Sequence, residues 1–165
     1  MVELRRTYLL GVLLIIIGIF IAAHGYLGLQ SQNDFRVVNI VKGEDAIRMT
    51  KSIHLGNFSI VNAAILDLEG KGQIRVWVAW TNSKEEARNL TEKMAEKVHL
   101  YFSEPEIVKI GDIKAYRTYK GSETHYFFSY EDMVIWIQFE NPDKGYHMQV
   151  IESLILKNGL ERYLN

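Results

Sequence analysis

The chain reads as an α+β protein: an N-terminal transmembrane helix followed by one domain in which an antiparallel sheet carries helices mainly on one face. Three observations predict this. Residues 8–29 contain no Asp, Glu, Lys or Arg; residues 83–101 repeat apolar positions at helical spacing behind a capping motif; and the run from Glu106 to Phe139 alternates with period two between tight turn signals.

The apolar run from Tyr8 to Leu29 is 22 residues long, about 33 Å as a helix and enough for a hydrocarbon core of about 30 Å. Arg5 and Arg6 precede it, and no basic residue follows until Arg36, so the positive charge keeps the N-terminus cytoplasmic and sends the rest outside. The expected plan is a cytoplasmic tail at 1–7, a single pass of the cell membrane at 8–29, a neck at 30–35 and an extracytoplasmic domain at 36–165. A basic start, an apolar run and the small residues Ala22, Ala23 and Gly25 also describe a cleavable signal peptide, although the run continues to Leu29 as a retained signal anchor would. Both readings export the domain. Gly11, Gly18, Ala22 and Gly25 share one helical stripe, which lets two spans pack closely and makes a homo-oligomer one expectation; the other is that glycine is simply common in membrane spans.

Composition narrows the function of the exported part. Setting aside Arg5, Arg6, Glu3 and Asp34, it holds 17 basic against 18 acidic residues, a balance that lacks the basic footprint of a nucleic-acid binder. Cysteine is absent, which removes disulfides, thiolate catalysis and iron–sulfur or zinc–thiolate sites.

The elements follow in order. Arg36–Val41 is β-branched and reads as a strand; Glu44–Ser52 is weakly amphipathic, with Ala46, Met49, Thr50 and Ile53 on one side, and is expected to end by Gly56. Residues 58–68 and 73–80 flank the turn at Glu69–Gly72 as a hairpin, with Ile74, Val76, Val78 and Trp80 on one face and Arg75, Trp77 and Ala79 on the other. Ser83 and Glu86 form a capping box, opening a helix whose stripe is Ala87, Leu90, Thr91, Met94, Ala95, Val98 and Tyr101. Four strands then run in two tight hairpins, from Glu106 to Tyr119 and from Thr124 to Phe139. If Tyr130 faces Met133 across Glu131–Asp132, then Thr124, Tyr126 and Phe128 share a face with Ile135, Ile137 and Phe139, and His125, Phe127 and Ser129 share the other with Val134, Trp136 and Gln138. A last helix spans about 146–157 and stops at Asn158–Gly159. Val76–Asn82 echoes Ile135–Asn141, each following a first hairpin arm and preceding a helix, so two related strand–strand–helix units or chance convergence account for the pattern.

Chemistry is sparse. None of the five histidines has a partner at metal-ligand spacing, and neither a phosphate loop nor a nucleophile elbow occurs, so no metal, cofactor or catalytic residue is assigned. His125 is the exception in context: with Phe127, Trp136 and Trp77 it defines a candidate binding face, because aromatic rings with polar tips suit a ligand or partner. The same residues also suit a second sheet face covered by a helix or loop. Asn57 and Asn89 head glycosylation triplets, Asn89 within a helix.

In Val76–Ser83, Lys114–Gly121, His125–Phe128 and Met133–Ile137 the chain resembles single-span, membrane-anchored proteins of heat-loving archaea, to which no activity is attached; its Lys–Glu balance and lack of Cys agree with that likeness. Two functions are expected in turn. The first is a membrane-tethered extracytoplasmic interaction or ligand-binding module, held by the lipid bilayer at 8–29 and facing an envelope protein or small ligand. The second is a membrane-anchored envelope hydrolase with His125 as general base near Glu131, Asp132 or Arg117.

Overall fold

The computed structural model of the protein describes residues 35–53, 59–156 and 159–164. Seven strands, β1 (Arg36–Lys42), β2 (Asn62–Gly70), β3 (Gly72–Trp80), β4 (Glu106–Ile110), β5 (Ile113–Lys120), β6 (Glu123–Tyr130) and β7 (Met133–Phe139), form one antiparallel sheet in the order β1-β2-β3-β7-β6-β5-β4. Two meanders, β1–β3 and β4–β7, thus join through their last strands at the middle. Four helices complete the described residues: α1 (Glu44–Ile53), α2 (Lys84–Lys97) with a 3₁₀ turn at Val98–Leu100, α3 (Lys144–Ile155) and α4 (Gly159–Leu164). The α+β class with an antiparallel sheet is therefore what the alternation implies.

Helices on one face are not. α3 and α4 cover one side, where Val150, Ile151, Leu154 and Leu160 meet Leu66, Val76, Val78, Phe128, Ile135 and Ile137. α1 and α2 cover the other: Ala46 meets Ala63, Ile65 and Ala79, while Val98, Met94 and Ala95 meet Tyr116, Phe127 and Trp136. The reason lies in the central strands, whose alternate positions are apolar on both sides, so each side needs a cover. The fully buried Phe127, Phe128, Leu66 and Ile137 then each contribute about 1.5–3 kcal/mol of transfer free energy.

The hairpins keep their expected register. Tyr130 lies opposite Met133, and the two face sets of β6 and β7 separate as the alternation requires. A third tight turn at Gly121–Ser122 makes β4–β7 one continuous meander rather than two hairpins. Gly111 and Gly121 take φ of 58° and 60° at the first turn position, where a side chain is strained; Glu131 accepts the same strain at φ 53°.

Other boundaries shift. On α1, Met49 is exposed and Ile47 packs inward instead. β2 starts at Asn62 rather than 58. Ser83 caps α2 through Glu86 N, but Glu86 reaches back to Asn82 N and Nδ2 rather than to Ser83, and Tyr101 is exposed beyond the stripe. α4 follows α3 and opens on Gly159, which is required because a Cβ would lie 2.5 Å from the Ser153 carbonyl oxygen.

Among the described residues no helix is long and apolar enough to cross a membrane. The expected tail and span, with Gly11, Gly18, Ala22 and Gly25, lie outside them, as does Asn57; Asn89 is exposed on α2.

Candidate functional site

The site is best built from rows of side chains that run across the strands on the α1–α2 face. The first row is Ile65, Trp77, Trp136, Phe127 and Tyr116, one residue from each of β2, β3, β7, β6 and β5. It is covered. Phe127 is stacked between Tyr116 (5.1 Å) and Trp136 (5.0 Å) and has no exposed surface, while Trp77 and Trp136 are half-buried. Phe102 follows the 3₁₀ turn and packs edge-on against His125 (4.9 Å) and Trp136 (5.3 Å). A clasp fixes that loop: Ser103 N donates to Tyr119 O, Tyr119 N to Ser103 Oγ and Thr118 Oγ1 to Ser103 O.

His125 itself is 4% exposed. Of the expected binding face, His125 and Phe127 are buried and Trp136 and Trp77 half-buried, as the covered alternative requires: α2 and its following loop lay their apolar side chains on Phe127 and Trp136, while Trp77 packs beside the α1 cluster. Trp136 Nε1 donates to His125 Nδ1 at 3.1 Å, which fixes the neutral tautomer with its proton on Nε2. Nε2 lies 3.3 Å from Glu123 Oε2 without the alignment of a full hydrogen bond, and Gln138 Nε2 donates to the other carboxylate oxygen at 2.8 Å. Burial pushes the His125 pKa down, and the Glu123 charge only partly offsets this. Neither ring nitrogen offers the free lone pair that a general base needs. Glu131 and Asp132 sit in the β6–β7 turn at the far end of the strand, and Arg117 lies opposite Tyr126 on the α3 face, so the expected acid–base partners do not meet His125.

One step along the strands the chemistry changes. The next row on the same face is Asn39, Asp67, Arg75, Gln138, His125 and Thr118, and the row after it includes Arg36, Glu69, Gln73, Glu123 and Lys120. Among the described residues no helix lies over these rows between β1 and β7, and they form a groove of about 570 Å³ lined by Asn39, Asp67, Glu69, Gln73, Arg75 and Gln138, together with Val38 and Glu140. Asp67 organises it, accepting from Arg75 Nε at 2.5 Å and from Asn39 Nδ2 at 3.1 Å. Burial raises the Asp67 pKa, but the Arg75 and Asn39 hydrogen bonds and the Arg75 charge outweigh it and hold the carboxyl below its usual range. Arg75 also leans over the Trp77 ring, 5.8 Å from its centre.

A bulge delivers Asn39 to this row. Val37 pairs with Leu68 and Asn39 with Asp67, so Val38 is the extra residue. Without it, Asn39 would face the apolar core and Val38 the groove.

A second buried histidine lies on the α3 face. His147 has no exposed surface; its Nε2 donates to the Asn141 carbonyl at 2.6 Å, leaving Nδ1 to accept from the Tyr126 hydroxyl at 3.2 Å. Burial lowers its pKa, against smaller opposing effects of Asn141 and Asp143. The sequence holds no local sign of this pair, because Tyr126 and His147 come from a strand and a helix on different segments. Among the described residues no three metal-ligating side chains converge.

No protein-family model matches the chain, and no curated protein matches it. Its structure is similar to the crystal structure of a GTP binding regulator from Thermotoga maritima, with 10% sequence identity, a TM-score of 0.46, and coverage of 73% of this chain and 77% of that one.

Proposed function

We propose that the protein is a membrane-tethered extracytoplasmic ligand-binding module whose site is the groove between β1 and β7. The observation that carries this is the polar row that no described helix covers: Asn39, Asp67, Arg75 and Gln138 come from four different strands and, although Asn39 and Arg75 are exposed, each is tied to a neighbour by a hydrogen bond. Preorganised polar groups in a concavity are what recognition of a polar ligand requires. The basic residues before the apolar run at 8–29 support the tether and the outward orientation. The hydrolase alternative has no comparable support, since His125 Nδ1 already accepts from Trp136, Nε2 carries the proton and is buried, and the ring is covered by Phe102.

Two measurements test this. External protease acting on whole cells should remove the domain and spare an N-terminal tag; the reverse pattern overturns the tether orientation. Full-length protein extracted from its native membrane should carry a bound molecule in native mass spectrometry that Arg75→Ala releases. Identical, adduct-free spectra for both proteins would overturn the binding role.

A further inference from the structure

The proposed binding role leaves the ligand's chemistry open, and the groove constrains it. Its charges are largely compensated from within: Arg75 is paired with Asp67, Arg36 with Glu69, and Glu123 is held by Gln138 beside His125. These pairs are solvent-exposed, but because their charges neutralise one another they offer a charged ligand no uncompensated partner of opposite sign. A ligand with hydroxyl groups needs none, because each hydroxyl both donates and accepts, and the row alternates donors and acceptors: the Asn39 amide, the Asp67 carboxylate, the Arg75 guanidinium, the Gln138 amide.

Shape points the same way. The groove crosses the strands, so its polar groups repeat at the strand spacing of about 4.8 Å, close to the length of one pyranose ring. Among the described residues it ends at the edge strand β1, where a chain can leave, and the exposed Val38 of the bulge offers an apolar contact there for ring C–H groups. A peptide lacks a matching mode here. The main-chain groups under the groove are paired between β1, β2, β3 and β7, so a peptide adding as a strand would dock on the outer edge of β1, in the plane of the sheet and beside the groove rather than in it.

We infer that the groove binds a short segment of a neutral oligosaccharide, with Asn39, Asp67, Arg75 and Gln138 bonding successive sugar hydroxyls. This rests on the ligand-binding reading above and names its ligand class.

The test uses the full chain in a detergent without a sugar headgroup, titrated calorimetrically with neutral oligosaccharides of two to six units and with uronic-acid and sulfated counterparts. At least one neutral series should bind with little salt dependence, its affinity rising with length until the groove is filled. Asn39→Ala and Gln138→Ala, which remove no member of an ion pair, should each weaken it by about tenfold, the worth of a lost hydrogen bond or two, with unchanged circular dichroism. Arg75→Ala is the stronger variant, and these two keep the test valid if it misfolds. Preference for the charged series with steep salt dependence, or neutral binding that survives both variants, overturns the inference. If a peptide or another small molecule binds and those variants abolish it, the sugar assignment fails while the groove's binding role stands. If nothing binds, both fail.

Discussion

Replacing Trp136 by Phe asks whether the covered aromatic layer is held by its one internal polar contact. The substitution keeps a ring against Phe127 and Phe102 but deletes the donor to His125 Nδ1. A buried acceptor left without a partner costs about 1–3 kcal/mol, against a total stability of about 5–15 kcal/mol for a domain of this kind. His125→Phe makes the complementary error, stranding the indole N–H at a similar cost. Together the two changes replace both polar partners by apolar rings, which is close to neutral for the hydrogen bond, so the double variant should cost less than the sum of the singles by about 1–2 kcal/mol. Urea unfolding of the compact unit Asp34–Asn165, followed by far-ultraviolet circular dichroism, gives all four corners of the cycle. A second readout is the His125 ring in NMR: without the indole, Nδ1 is free to take a proton beside Glu123, and the pKa should rise from its lowered value. Additivity within about 0.5 kcal/mol, or an unmoved ring titration, would refute the assigned tautomer and the role given to the bond.

Two further outcomes are expected. Burial lowers the pKa values of both His125 and His147, so their unfolded forms bind protons first; stability should be full above about pH 6.5 and fall as the pH drops through that value toward the folded-state pKa values, and His147→Gln should flatten the decline. A profile level between about pH 7.5 and 5 would contradict this. Deleting Val38 should straighten β1 yet leave Asn39 opposite Asp67, changing stability by no more than about 1 kcal/mol; a collapse of the fold would mean that the bulge does more than re-aim Asn39.

Local signals carried much of the fold. The Ser83–Glu86 box, the tight turns and the period-two strands each concern neighbours in the chain, and each element formed where its neighbours required it. What escaped were properties set by distant segments. Trp136 and Phe127 alternate like a surface aromatic row, and only the arrival of α2 with Phe102 covers them. Val37–Val41 gives no turn signal at Val38, so the bulge emerges only from pairing with β2. The groove draws Asn39, Asp67, Arg75 and Gln138 from strands up to a hundred positions apart. A partial signal existed: alternation put Arg75 on the face of Trp77 and Gln138 on the face of Trp136, and juxtaposing those two strands would have aligned the row.

The echo between Val76–Asn82 and Ile135–Asn141 explains why the groove is open where it is. Trp77 faces Trp136, Val76 faces Ile137 and Val78 faces Ile135, so the matching segments are related by a local two-fold axis through the sheet between the two tryptophans. That symmetry would send both following helices to the same face. α2 obeys it, leaving β3 and lying over β6 and β7 on the Trp136 side. Its mate would leave β7 at the opposite end and lie over β2 and β3, above Asp67 and Arg75. α3 instead follows a connection one residue longer, Glu140–Asp143 against Thr81–Ser83, containing Pro142, and enters the other face, where Tyr146, Val150, Ile151 and Leu154 fill the main core. α1 covers the end of the face near Ala63, Ile65 and Ala79. The polar row is therefore exposed because one helix departs from the local symmetry, and its side chains are polar because at that end of the face water or a ligand, rather than a helix, is what they meet.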